Sequence, residues 1–425
     1  MISKRTIQNL FVLLAVLATV LMSKSYYFGV ANRGTFQYIY YATVILAGLV
    51  VGINLRKIKN AVLILLPTLV LIVFNLISTS GNMTANGLNQ VFGIALTFVC
   101  AGIAGSYITI DRFAKYYINI LYIICLVSIP CFLMAIFSPE LARSFCQPGY
   151  NWQVPVGYSF FYTWGWNGTI FQRNSGVFWE PGAFQGFIIL AMLMLLYEAD
   201  KTTVQNRKLK FLVFAVTLLT TQSSTGYILF VVILLTQWQR IQTIFDDVNI
   251  VARNLFVAAI VIGAVAIIIS SGNISNKLAN ASTDSAAIRF SDLAGGGLMV
   301  LKGGLFGLGE TTTRSYYRTL LGVSGNDSVG LLAMAYTYGI IFAAYYLYTM
   351  IRGVKNFFFA NKGLDIVVLT AIFLILHLTE GLWWLPVYIT IPVIGIVGGA
   401  LLSAVISNIY ETGHLPVTQN REVAA

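Results

Sequence analysis

The sequence predicts an all-α, polytopic integral membrane protein with about twelve transmembrane helices. Of its 425 residues, 58% are hydrophobic and only 10% are charged, whereas soluble domains carry about 25% charged residues. The apolar residues also form long runs, such as Ile118–Ile136 and Phe256–Ile269. A run of about 20 apolar residues matches the hydrocarbon core of a bilayer, where a helix satisfies its own backbone hydrogen bonds.

The predicted helices together make residues 1–425 a single membrane domain. The spans lie at 7–22, 35–53, 61–78, 88–105, 116–137, 179–197, 209–222, 225–239, 252–270, 328–351, 364–381 and 385–406. The apolar stretches within 209–239 are short, so this pair can be two spans or a re-entrant hairpin. The first span follows Lys4–Arg5 as in a signal peptide, but residues 23–27 lack a small-x-small cleavage pattern. We therefore expect an uncleaved helix.

Basic residues predict the orientation of these spans. With the N-terminus in the cytoplasm, most of the 26 Lys and Arg residues fall in cytoplasmic segments, as the positive-inside rule requires. This distribution predicts a bacterial inner-membrane protein with both termini in the cytoplasm. It also accounts for the formal charge of +11, so no nucleic-acid binding is needed to explain that charge.

Two connections are long, and both are predicted to lie on the periplasmic side, at about 138–178 and 271–327. The first is rich in Tyr, Trp and Phe, which either mark the membrane interface or form stacking platforms for sugar rings; the two readings are compatible. In the second, Ser282–Leu301 fits an amphipathic helix lying along the interface. Three of the four cysteines lie in predicted spans and Cys146 has no partner within its loop, so we expect no disulfide framework. The cysteines form no CxxC or Cys/His ligand spacing, so no metal site is expected; we also expect no cofactor.

The most informative stretch runs from Arg173 to Phe184 and ends on Trp-Glu-Pro-Gly-Ala-Phe. Pro181 suits the first turn of a helix, and Glu180 stands where the helix dipole favours negative charge. These residues are thus explained by a helix start at a membrane boundary. A helix start beside Arg173 is equally a place to hold a phosphate through backbone N–H groups and a guanidinium.

This stretch, Arg-x-x-Gly-x-Phe-x-Glu-Pro, resembles the oligosaccharide repeat-unit (O-antigen) polymerases of the Wzy type, which are related to the O-antigen ligases. Thr220–Gly226 is similar to the family's Ser-x-Thr/Ser-Gly junction between two short spans. Gly304–Gly309 resembles its late Gly-x-Gly element, and Asn326–Asp327 its entry to the next span. Ligases have a His-Asn pair where this chain has Gly325-Asn326-Asp327, which disfavours a ligase and leaves the general base unassigned.

The resemblance implies a GT-C-like helical arrangement and a metal-independent, inverting glycosyl transfer at the outer leaflet. The substrates it implies are undecaprenyl-pyrophosphate-linked oligosaccharides within membrane lipid, with a chain-length regulator and a flippase as partners. Cations would stabilise the departing pyrophosphate, and a base would take the proton of the attacking hydroxyl. The candidate cations are Arg173, Arg289, Arg314 and Arg318.

The candidate bases are Glu180, Glu380 and Asp327, and His377 lies one helical turn before Glu380. Ionisable residues are costly in a span, so His377 and Glu380 suggest a wet cavity; the alternative is a buried His–Glu hydrogen bond that pins helices together. Two other functions stay open: a lipid-linked oligosaccharide flippase, and the ligase. The sugar, the linkage and the oligomeric state do not follow from the sequence.

Overall fold

The computed structural model describes residues 3–80, 84–151, 154–165, 173–197, 204–245, 285–313, 329–359 and 363–398. Its helices are α1 (Lys4–Met22), α2 (Arg33–Val51), α3 (Leu55–Ser78), α4 (Ala85–Tyr107), α5 (Ile110–Phe137), α6 (Pro139–Ser144), α7 (Pro181–Tyr197), α8 (Arg207–Thr220), α9 (Ser224–Thr236), α10 (Trp238–Ile244), α11 (Ser285–Gly303), α12 (Gly330–Tyr338), α13 (Ile340–Phe357), α14 (Gly363–Thr379) and α15 (Pro386–Gly398). A π-helical turn spans Tyr26–Ala31.

The described chain is mostly helical and has helices long and apolar enough to cross a membrane. Five of them, α1 to α5, meet this criterion alone, and α9 with α10 would make a sixth across a bend of 81°. Helices α7, α14 and α15 are apolar but shorter. The prediction of a helical membrane protein is therefore confirmed in this coarser form. The predicted span at 252–270 lies outside the described residues.

Polar side chains begin several of these helices. Ser3, Asn54, Thr84, Thr109 and Ser223 each accept a hydrogen bond from a backbone N–H in the first turn that follows. Such caps satisfy N–H groups that have no partner within the helix. The cap at Ser223 begins α9 directly after α8, so the short spans predicted at 209–239 are two helices joined by a tight turn.

The first long connection contains a small β-sheet, which the all-α prediction did not include. Strands β1 (Gln147–Asn151), β2 (Val154–Tyr158) and β3 (Thr163–Gly165) pair antiparallel in the order β1-β2-β3. Valine, tyrosine, threonine and tryptophan, which favour a pleated, half-buried surface, occur in these strands beside glycine and proline. The sheet is tied to the N-terminal region because the Tyr26 hydroxyl donates to Tyr150 O at 2.7 Å.

The span predicted at 328–351 is interrupted at Gly339. Helix α12 ends there, and α13 begins at the next residue; the φ of Gly339 is +99°, which favours glycine. The backbone groups freed by this break bond to the glycine-rich loop 304–309. Leu308 N donates to Tyr336 O at 2.8 Å, and Gly309 N donates to Thr337 O at 3.0 Å. Within a membrane, the hydrogen-bonding groups of irregular backbone must find partners in the protein. The loop supplies those partners for the carbonyls at this break.

Helix α7 lies at the centre of the bundle. All of its residues from Ala183 to Tyr197 are buried, which is expected of a helix that is apolar on every side. It packs on α5, α8 and α9, and the Tyr117 hydroxyl of α5 donates to Phe187 O at 3.1 Å. The start of α7 is therefore held at the middle of one end of the bundle.

Three distant parts of the chain join at that end. Tyr26 N donates to Val177 O at 2.7 Å, just before α7. Val387 N, at the start of α15, donates to Ser23 Oγ at 2.9 Å. The connection after α1 is thus fixed against both the start of α7 and the turn between α14 and α15.

Candidate functional site

The turn between α14 and α15, residues 380–384, forms the centre of the candidate site. Its backbone is closed by a hydrogen bond from Leu382 N to Glu380 O at 2.8 Å. The start of α12 packs directly on this turn, since a Cβ placed on Gly330 would lie 2.6 Å from Glu380 O. Glycine at this position lets the two backbones touch, and the turn is held rigidly.

The carboxylate of Glu380 reaches the first turn of α7. A Cβ placed on Gly182 would collide with Glu380 Oε1 and lie 3.2 Å from Cδ. The Glu380 side chain is only 8% exposed. The N-terminal end of a helix carries partial positive charge and favours an anion. Glu380 therefore contacts the backbone of α7 two residues after Glu180, which precedes the helix and is partly exposed.

Two cations lie on tryptophan rings of the α14–α15 turn and of the segment that precedes α7. Lys24 Nζ is 4.5 Å from the centre of the Trp179 ring and 4.8 Å from that of Trp384. The guanidinium carbon of Arg33 is 5.1 Å from the Trp384 ring. Each cation–π contact of this kind contributes about 0.5–2 kcal/mol. Both positive charges thus contact Trp384 of the α14–α15 turn.

A third carboxylate, Glu310, lies on the other side of Arg33. Its Oε1 accepts from Gln90 Nε2 at 3.2 Å and from the Tyr338 hydroxyl at 3.4 Å. Glu310 and Arg33 are close enough to interact electrostatically. Thr311, the next residue, accepts a hydrogen bond from Thr84 N at 3.1 Å. Glu310 is therefore held between α4 and α12 and faces α2.

Arg173 belongs to a different contact, with the α8–α9 turn. Its Nε donates to Thr221 O at 3.0 Å. Asn174 Nδ2 donates to Thr220 Oγ1 at 2.9 Å and to Ser128 Oγ at 3.1 Å. The Arg-x-x-Gly stretch and the Thr220–Gly226 junction, identified separately in the sequence, are thus neighbours.

The glycine-rich element 304–309 packs on the break between α12 and α13. A Cβ on Gly307 would lie 2.6 Å from Gly339 N. Asn75 of α3 fastens both segments, because its Nδ2 donates to Phe306 O at 2.7 Å and to Thr337 O at 3.0 Å. This junction positions Glu310, which directly follows the loop.

His377 is hydrogen-bonded through its two ring nitrogens to its own helix and to α13. Its ring is fully buried; Nδ1 lies 2.7 Å from Phe373 O, and Nε2 lies 3.0 Å from the Tyr346 hydroxyl. A carbonyl only accepts, so Nδ1 donates to Phe373 O and Nε2 accepts from Tyr346. His377 therefore joins α14 to α13.

Four of the predicted site residues lie wholly or partly outside the described structure. Asp327, Arg314 and Arg318 lie outside the described residues. Helix α11 confirms that the segment 282–301 is largely helical. Arg289 lies in this helix, but its side chain is outside the described part. The described residues contain no group of three or more His, Cys, Asp or Glu that could hold a metal ion.

The sequence interpretation missed Lys24, Arg33 and Glu310. Lys24 and Arg33 are the charged residues of the short connection between the first two predicted spans, which the predicted topology places on the side where positive residues are disfavoured. That exception to the charge rule is a usable signal. Glu310 follows the Gly-x-Gly element directly, and its position next to that motif is the corresponding signal.

Comparison with known protein families found no matching family model, and comparison with curated proteins found no significant match. The chemistry of the site therefore has to be argued from its own residues. Two cations supported by tryptophan rings can hold an anionic group, and the neighbouring carboxylates can accept a proton or a hydroxyl hydrogen bond.

Proposed function

We propose that this protein is a glycosyltransferase that joins oligosaccharide repeat units carried on undecaprenyl pyrophosphate into O-antigen or a related surface polysaccharide. The observation that supports this most is that Lys24 and Arg33 both contact the ring of Trp384, in the turn that also carries Glu380. Transfer from such a donor requires cations where the diphosphate leaves and a carboxylate where the acceptor reacts. The reaction takes place at the periplasmic face of the bacterial inner membrane.

In this proposal the hydroxyl of one lipid-linked unit attacks the anomeric carbon of another. The bond from that carbon to the diphosphate oxygen breaks, and its electron pair leaves with the lipid diphosphate. Lys24 and Arg33 stabilise the charge that develops on the diphosphate, which is the largest electrostatic demand of the step. A carboxylate of the site accepts the hydroxyl proton, and Trp384 provides a face for a sugar ring.

A lipid-linked oligosaccharide flippase is the second candidate, and the break at Gly339 is the feature that favours it. Discontinuous helices often form the substrate sites of transporters. In this protein the carbonyls of Tyr336 and Thr337 at the break already accept hydrogen bonds from Leu308 and Gly309. The break thus serves loop packing, and the transferase fits the charged end of the bundle better.

The profile of lipopolysaccharide from a strain lacking the protein tests the proposal. We expect lipid A–core capped with single repeat units in place of a long ladder on a gel. A full ladder would refute the polymerase. Accumulation of inward-facing lipid-linked units would identify a flippase instead, and loss of all attached glycan would identify a ligase. A chain-length regulator is the partner we expect to co-purify with the protein.

A further inference from the structure

A cluster of polar side chains lies where the N-terminal parts of α2 and α4 meet the C-terminal end of α12. Beside Glu310, Gln90 and Tyr338, it contains Arg33 and Gln37 of α2. A Cβ placed on Gly93 would lie 2.6 Å from Gln37 Nε2 and 3.9 Å from Arg33 Nη2. Both side chains thus use the space left by a glycine of α4, one turn after Gln90.

Such a cluster is costly in a helix bundle built to sit in lipid. Polar and ionisable side chains in spans face a cavity or one another and mark substrate sites more often than structural ones. The members here are a carboxylate, two amides, a guanidinium and a phenol, all of which form directed hydrogen bonds. Trp384 adds an aromatic face next to Arg33. This combination suits a ligand with many hydroxyls.

The structure fixes Glu310 in this cluster from several directions. Just before Glu310, Gly309 N donates to Thr337 O at 3.0 Å. Just after it, Thr311 Oγ1 accepts a hydrogen bond from Thr84 N. The two neutral donors of Gln90 and Tyr338 both point at Oε1. A carboxylate whose backbone and side chain are both held is preorganised to receive a proton from a bound hydroxyl.

Glu380 is in a different situation. Its carboxylate is buried against the start of α7, where the helix dipole holds negative charge in place. That setting suits a group that fixes the α14–α15 turn, and with it Trp384, relative to α7. The division between the two glutamates follows from these contacts: one positions the turn, and the other faces the polar cluster.

We propose that the cluster of Arg33, Gln37, Gln90, Glu310 and Tyr338 binds the acceptor sugar and that Glu310 takes the proton of its attacking hydroxyl. This inference rests on the proposed glycosyl transfer. As the hydroxyl oxygen bonds to the anomeric carbon, its proton passes to the Glu310 carboxylate, and the electron pair of the broken bond leaves with the lipid diphosphate. The donor diphosphate lies on the Lys24 side of Arg33.

The test uses purified, reconstituted protein and lipid-linked repeat units extracted from a strain that lacks it, with joined units and released lipid diphosphate as readouts. Glu310→Gln keeps the shape and the hydrogen bonds from Gln90 and Tyr338 but removes the base. Glu310→Asp keeps the base but shortens its reach. We expect kcat to fall at least ~100-fold in Glu310→Gln and less in Glu310→Asp, because a shortened base still accepts the proton.

A purely structural role predicts the reverse order, with Glu310→Gln close to wild type and Glu310→Asp impaired, and that order would overturn the inference. The matched control is Glu140→Gln, which changes an exposed glutamate of α6 and should leave kcat unchanged. Gln90→Ala should raise KM more than it lowers kcat, since Gln90 would bind the sugar without taking its proton. Absence of turnover in the wild-type protein would reject the proposed function, whereas an active Glu310→Gln variant would reject only this assignment.

Discussion

The carboxylate of Glu380 touches the backbone of Gly182, so the turn between α14 and α15 meets the first turn of α7 with no side chain between them. Trp384 of that turn then supports Lys24 and Arg33. The position of both cations relative to α7 therefore depends on the absence of a Cβ at residue 182.

Gly182→Ala should lower both activity and thermal stability. The added methyl group would displace the Glu380 carboxylate, and overpacking of this kind costs about 1–3 kcal/mol. We expect a lower Tm in detergent and shorter glycan ladders in vivo. Gly34→Ala is the control, because a Cβ there meets nothing within 4 Å; equal Tm values for the two variants would contradict the contact with Glu380.

Lys24→Ala and Arg33→Ala should each reduce polymer formation at least tenfold while leaving the protein folded. Both variants remove positive charge from the place where we expect the diphosphate to leave. Arg143→Ala removes an exposed cation of α6 and should give ladders of normal length. Complementation of a deletion strain, followed by lipopolysaccharide gels and immunoblots for protein level, measures the difference.

Three glycines of the 297–307 region should respond differently to alanine. Gly307 has a φ of +81°, and a Cβ there would collide with Thr337 O, so Gly307→Ala combines strain with overpacking. Gly304 also has a positive φ but open space around it, and its variant should lose only about 1–2 kcal/mol from strain. Gly297 lies in helix α11 with open space, and its variant should gain about 0.5–1 kcal/mol.

Thermal unfolding of these three variants in detergent should therefore give the order Gly297→Ala, Gly304→Ala, Gly307→Ala from most to least stable. The substitution is the same in each case, so the order reports on backbone conformation and available space. A Gly307→Ala protein as stable as Gly304→Ala would mean that loop 304–309 does not pack on the α12–α13 break.

Cys146 tests the orientation of the first long connection. The other cysteines, Cys100, Cys125 and Cys131, are buried, so a membrane-impermeant maleimide should label Cys146 alone, and Cys146→Ser should abolish labelling. We expect labelling of intact spheroplasts. Labelling only after lysis would place this connection in the cytoplasm and would reverse the predicted topology.

The rate of that labelling should rise steeply with pH. Burial raises the pKa of the Cys146 thiol above its ordinary value of 9.0, with Arg143 opposing the shift. Since the thiolate is the reactive form, a raised pKa leaves little of it at pH 7. The rate should keep increasing through pH 9 without reaching a plateau; a plateau below pH 8 would contradict the partly buried position.

The boundaries of a helix could be predicted from the sequence where a long apolar run begins at a recognisable helix-start residue. The predicted span 179–197 corresponds to α7, and Pro181 stands in its first turn as expected. The β-sheet at 147–165 was missed because its strands are three to five residues long and lie among aromatic residues that also suit a membrane interface. The break at Gly339 was missed because one glycine in an apolar run gives no local sign that a distant loop will satisfy its carbonyls.

The candidate site was predictable only in part, for a related reason. Glu180 and Glu380 stood out as ionisable residues near span ends, and the structure places Glu380 against Gly182, two residues after Glu180. Lys24 and Arg33 contact Trp384, and Glu310 contacts Tyr338. These partners are distant in sequence, so residue type and spacing do not reveal the contacts. Arg173 was singled out by its motif, and its backbone contact at Thr221 could not be foreseen from that motif.

The hydrogen bond from Val387 to Ser23 joins residues that are 364 positions apart. At a synthesis rate of about 5–20 residues per second, Val387 is added ~18–73 s after Ser23. The loop that carries Lys24 therefore waits through most of translation before its last partner exists. Premature release of the nascent chain before α15 would leave a bundle inserted in the bilayer whose cationic end is never assembled.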